Sequence, residues 1–188
     1  MVGRPGEPKR PLFLRQSVRS DYCGVYSTAM LLSRLGHPLS RAAALRLFDL
    51  PQKDRDYNGV NLDGIAIAVK HATKLRHIRW LFRRRFHFAT VVALVRRHIG
   101  ATRQPTLLWF GAVHRRSGAP ARHIALVVRV NRDTLYLLDP LGRPPPSRRP
   151  FNVSIPNRLD RHELLPAEGS FYGVNPRMMV GILRWRPA

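Results

Sequence analysis

The chain has 188 residues, with 33 Lys and Arg against 11 Asp and Glu, a formal net charge of +22, and a single cysteine. That length, with 44% hydrophobic residues, suffices for one domain with its own core, and one cysteine excludes an internal disulfide or a multi-cysteine zinc site. No window is apolar enough to span a membrane, and the N-terminus lacks the apolar segment of a Sec signal peptide. The expected location is therefore cytoplasmic, or exported by a route without that signal.

Residues 1–12 hold several prolines, glycines and charges and read as a flexible lead-in to a domain at 13–188. The stretch Gln16–Met30, QSVRSDYCGVYSTAM, follows. Cys23 opens an apolar run in which Val25, Ala29, Leu32 and Leu35 recur at helical spacing, which predicts a helix to about Leu35 stopped by Gly36. Ser40 suits the N-cap of a second helix closed by Pro51. PQKDRDYNGVN reads as a loop. Asn61 or Asp63 starts a third helix with Ile65, Val69 and Ala72 on one face.

Lys74–Arg85 is the densest basic stretch and interleaves Trp80 and Phe82 with arginines. Bases or a lipid interface are conceivable partners of such a pattern. The simpler expectation is a covered helix or strand whose arginines snorkel to water. Phe88–Ile99 predicts a fourth helix with Val91, Val92, Val95 and Ile99 on one face and Gly100 as its stop.

From Gln104 the period changes. PTLLWFGAV, RHIALVVRV, TLYLLD and PRMMVGILRW read as strands, the second and third joined as a hairpin through Asn131–Asp133. The Pro-rich LGRPPPSRRP between the last two cannot form regular sheet. Helices first and strands after is the segregated α+β pattern: an N-terminal helical half with the cysteine at a helix start, and a C-terminal antiparallel sheet.

A thiol at a helix N-terminus sits where unpaired N–H groups and the helix dipole favour an anion, and the thiolate is the nucleophilic form. The competing reading of a lone cysteine is a small buried hydrophobe. Nucleophilic use requires a base, a group that orients the base, and oxyanion donors. His123, at the start of the strand HIALVVRV, is the chosen base, with His114 the alternative. His37, His71, His77, His87, His98 and His162 are expected at the surface. Asp139 ends the partner strand of the hairpin, so it reaches the same sheet edge as His123 and can orient the imidazole. Otherwise Asp139-Pro140 is simply a turn. Gln16 can offer side-chain N–H groups to an oxyanion, beside the backbone N–H of Cys23.

Together, Gln16, Asp21-Tyr22-Cys23-Gly24, Met30, Gly36, Ser40 with Leu45-Arg46, His123 and Asp139-Pro140 with Gly142 resemble the papain-like cysteine peptidases. The closest likeness is to the bacteriocin-processing (double-glycine leader) peptidases. The resemblance spans about Leu14 to Gly142. It implies a papain-like fold with Cys23 as nucleophile, His123 as general base and acid, Asp139 as orienter and Gln16 as oxyanion donor. Tyr22 stands between the family's aspartate and the cysteine, and there is no GxxxxGK[ST] phosphate loop.

The implied activity is peptide-bond cleavage without a cofactor, either in leader-peptide processing or as a bacterial effector protease. The alternatives are an inactive papain-like domain that binds a peptide or partner, and acyl transfer or isopeptidase chemistry by the same triad. The expected partner is a peptide or protein substrate. The arginine-rich surface offers further contact to an acidic protein or an anionic surface. No zinc-finger, RRM or KH signature accompanies the charge, so nucleic acid is not the expected partner.

Overall fold

The computed structural model describes residues 13–14, 22–49, 60–73, 75–85, 87–114, 120–132, 134–141, 157–159, 164–165, 172–174, 177 and 179–186. The expected lead-in at 1–12, Gln16, Asp21, the polar loop at 51–59, His162 and the Pro-rich stretch from Gly142 lie outside these residues.

Helix α1 (Cys23–Arg34) begins at the cysteine itself. It ends as its sequence predicts, with Gly36 at φ 90°. His37 N–H donates to Leu32 C=O at 2.8 Å and Gly36 N–H to Ser33 C=O at 3.2 Å, which satisfies the last carbonyls. The helix is not amphipathic in the expected sense: every residue from Gly24 to Leu32 is buried. An apolar stripe accounts for one side only, and Ser27 and Thr28 are enclosed with the rest.

Helix α2 (Arg41–Leu47) starts at Ser40, whose Oγ accepts from Ala43 N–H at 3.1 Å. It stops short of Pro51, at Phe48, with Asp49 in the left-handed region. Helix α3 (Leu62–Ala72) takes Asn61 rather than Asp63 as its N-cap, the Asn61 side chain accepting from Gly64 N–H. Its buried residues are Ile65, Ala68 and Val69.

Strand β1 (Arg76–Arg83) then precedes α4 (Phe88–Thr102), so helices and strands are not strictly segregated. The basic stretch is a strand, as one of the two expected forms, but a half-exposed one rather than a covered one. Helix α4 runs through Gly100 and stops at Arg103, which takes the left-handed conformation at φ 56°. Gly100 alone has no power to end a helix whose next turn still closes its hydrogen bonds.

Strands β2 (Thr106–His114), β3 (Pro120–Val130), β4 (Leu135–Leu138) and β8 (Val180–Arg186) fall where the sequence predicts them. Short strands β5 (Asn157–Leu159), β6 (Leu164–Leu165) and β7 (Tyr172–Val174) are additional. The strand order is β1-β8-β2-β3-β4-β5-β6, with β7 also paired to β2. The described pairs are all antiparallel, which makes the architecture α+β with four helices among the described residues.

The central strands are apolar on both faces because both faces are covered. Leu108, Phe110, Ala125, Val127 and Ile182 pack with Val91, Val92 and Val95 of α4. Leu107, Trp109, Ile124, Leu126 and Leu183 pack with Met30, Leu31 and Leu32 of α1 and with Ile65 and Val69 of α3. A third cluster joins Val25, Tyr26 and Ala29 of α1 to Ala44 and Leu45 of α2.

Two glycines should respond oppositely to alanine. Gly36 has open space around it but a positive φ, so Gly36→Ala should lower stability by about 1 kcal/mol through backbone strain. Gly100 lies in a helix interior with equal room, so Gly100→Ala should raise stability by roughly 0.5–1 kcal/mol. Urea unfolding midpoints of the two variants read both effects.

Candidate active site

The site forms where the first turn of α1 meets β3. Ser27 lies one turn beyond Cys23, and its Oγ donates to the carbonyl of Ile124 at 2.9 Å in a buried hydrogen bond. A Cβ on Gly24 would stand 3.3 Å from both Ile124 Cδ1 and Ile65 Cδ1, so the glycine permits a close approach that a larger residue would resist. Cys23 is thereby held, half-buried, beside the residue that precedes Ile124.

That residue is His123, 3% exposed. Strand β3 begins at Pro120, so His123 is its fourth residue rather than its first. Phe110 stands directly opposite on β2 and meets the imidazole edge to face, with 5.6 Å between ring centroids. On the other side, β3 pairs with β4 in the register Leu126↔Leu138 and Val127↔Leu137. This brings Asp139, just past the end of β4, to the edge where His123 stands, as the hairpin expectation requires.

His123 Nε2 and Asp139 Oδ1 are 2.8 Å apart, and Asp139 is 4% exposed. Asp139 Oδ1 also accepts from Leu141 N–H at 2.9 Å. The turn reading and the orienting reading of Asp139-Pro140 are therefore compatible, because the turn fixes the carboxylate that holds the ring. The neighbouring Cys23 side chain contributes to the electrostatics of the ring, raising its pKa.

Burial by itself would push the His123 pKa down. The charge and hydrogen bond of Asp139, with the contribution of Cys23, outweigh it and raise the ring to about 10. The histidine and aspartate singled out in the sequence are thus brought together, and the cysteine opens the helix that packs on the histidine's strand. Gln16 and the side chain of His114 lie outside the described part of the structure. Cys23 is the first residue of α1, so its N–H lies in the turn whose donors have no partner within the helix.

One histidine departs from expectation. His98 is 2% exposed, not at the surface. Its spacing from Val91 and Val95 puts it on the buried stripe of α4, where it meets Trp185 edge to face at 4.4 Å. Burial, and then the charge of Arg184, lower its pKa to about 4, so the ring is neutral near pH 7. His37, His71, His77 and His87 are exposed as expected. Ser27 is not among the candidates read from the sequence. Its signal is a small polar residue four positions past the cysteine, inside an otherwise apolar helix.

No protein-family model matches the chain, and no curated protein sequence matches it. Among solved structures it is similar to a chain described as a candidate C39-like peptidase from Bacillus anthracis. The TM-score is 0.48 at 11% identity, over 96% of this chain and 98% of that one.

Two outcomes follow from the site's geometry. The folded ring of His123 binds its proton more tightly than the unfolded chain does. Its stabilisation is therefore complete below about pH 6.5 and is lost as the pH rises through about 10. Urea unfolding should show stability falling with pH across that window, with a flatter profile in Asp139→Asn. Separately, Ser27→Ala should lower stability by about 1–2 kcal/mol, because Ile124 C=O loses a buried donor. Its denaturation midpoint measures this.

Proposed function

We propose that the chain is a papain-like cysteine peptidase in which Cys23 is the nucleophile, His123 the general base and acid, and Asp139 the group that orients the imidazole. The observation that carries the reading is the buried His123–Asp139 pair, on the strand against which α1 packs, with Cys23 opening that helix. A protonated imidazole beside sulfur favours the thiolate–imidazolium pair that cysteine peptidases use.

In the proposed reaction the Cys23 sulfur attacks the peptide carbonyl carbon. The C–N bond breaks as His123 passes its proton to the departing amine, leaving a thioester. His123 then takes a proton from water, whose oxygen displaces the sulfur and releases the acid. Asp139 holds the ring through Nε2 throughout. The backbone N–H of Cys23 and the side-chain amide of Gln16 are the proposed oxyanion donors. Leader peptides ending in a double glycine and protein substrates of an effector protease are the substrate classes we propose.

A peptide-library digest analysed by mass spectrometry tests this. Cleavage should vanish in Cys23→Ala and fall roughly a thousandfold or more in His123→Ala. Gln16→Ala should cost about a hundredfold in kcat. An unchanged rate in Cys23→Ala would sink the reading. Products carrying an added amine instead of water would assign the same triad to acyl transfer. No cleavage, with iodoacetamide alkylation no faster than that of a free thiol, would make the chain a binding domain.

A further inference from the structure

Arginine crowds one rim of the sheet, well away from Cys23. Strand β1 is the terminal strand of the described order and, among the described residues, pairs with β8 alone. Across that pair Arg76 faces Arg186 and Arg79 faces Arg184. Like charges placed directly opposite destabilise a sheet, so the free protein carries an unfavourable arrangement here. At the end of the strand and just beyond it, Arg83, Arg84 and Arg85 line a concavity of about 330 Å³ with His87 and Thr90.

The rim's own segments hold no acid to relieve this charge: Leu75–Arg85 and strand β8 contain no Asp or Glu. Among the described residues the carboxylate in an ion pair is Asp139, and its partner is His123. The rim also exposes apolar surface, with Phe82 43% and Met179 47% accessible.

We propose that this rim docks an extended acidic segment of a partner polypeptide, added as a strand outside β1 with its carboxylates against the arginines. Among the described residues this edge has no second strand, and its backbone N–H and C=O groups form a ladder that another extended peptide matches. A second copy of this chain would set arginine against arginine along the seam. Nucleic acid or an anionic bilayer would answer the charge but leave the edge unpaired. The acidic polypeptide satisfies both requirements.

Strand β1 stands three strand spacings from β3, about 14 Å. Docking at the rim therefore leaves Cys23 open, and the inference does not depend on the peptidase reading. Binding is tested on the full chain carrying Cys23→Ala, with a fluorescent peptide alternating Glu with Val and Thr. The probe should bind, weaken as salt rises, and slow hydrogen exchange of the Arg79–Arg83 amides. Arg79→Glu with Arg83→Glu should weaken it roughly tenfold. Arg84→Ser with Arg85→Ser, outside the strand, should weaken it less. The same substitutions in a chain that keeps Cys23 should leave the alkylation rate of that thiol unchanged, which reports an intact fold. Equal binding of a Lys-for-Glu peptide, or no protection of the Arg79–Arg83 amides, would overturn the proposal. So would tighter binding of a single-stranded oligonucleotide or a phosphatidylserine vesicle.

Discussion

The seam between α1 and β3 is the constraint on which the site depends. It has two components of different kinds. Ser27 supplies a directional bond to the carbonyl of Ile124, and Gly24 supplies the absence of a side chain where the helix and strand come closest. Because Cys23 is one turn from Ser27 and His123 is next to Ile124, fixing that one contact fixes the distance between thiol and imidazole. The close packing also explains why α1 is buried all round. It lies between the sheet and α2, with α3 against it. A helix in that position has no solvent face to make polar, and the enclosed hydroxyls of Ser27 and Thr28 are hydrogen-bonded. Thr28 bonds back to Gly24 C=O, while Ser27 is left to bridge to the sheet.

The two buried histidines show how the surroundings, not the residue type, set a charge. Both rings are removed from water and both lie against an aromatic ring. Burial disfavours the cation in each case. At His123 a buried carboxylate reverses that and the ring is held protonated, whereas at His98 the nearby charge is Arg184 and burial prevails. In a chain of net charge +22, one aspartate placed inside makes the difference. Among the described residues, β1 and β8 carry Arg76, Arg79, Arg83, Arg184 and Arg186, of which all but the half-buried Arg184 are exposed to screening water.

Much of this was legible in the chain. Caps announce helices because they satisfy local backbone groups: Ser40, Asn61 and Gly36 act as their side chains, or lack of one, dictate. The apolar runs of β2, β3, β4 and β8 are readable because strands buried on both faces need no alternation. Strand β1 was harder, since its arginines mask the pairing that makes it a strand, and β5, β6 and β7 are too short to carry a pattern. Gly100 misled because a glycine marks a helix end only where the backbone turns left-handed, and here Arg103 makes that turn. His98 was misplaced by its polarity although its spacing put it on the buried stripe.

By itself the sequence determined the local events. These are a cysteine at the start of a helix, a histidine and an aspartate on neighbouring strands of one hairpin, and a basic stretch with no acid in it. Each is set by contacts within a few residues or across one turn. Only the tertiary structure decided how far the thiol stands from the imidazole, 100 positions away in the chain. That distance is set by how one helix docks on one strand. Docking depends on buried shape and on a single side-chain bond between residues 97 positions apart, which no local pattern encodes.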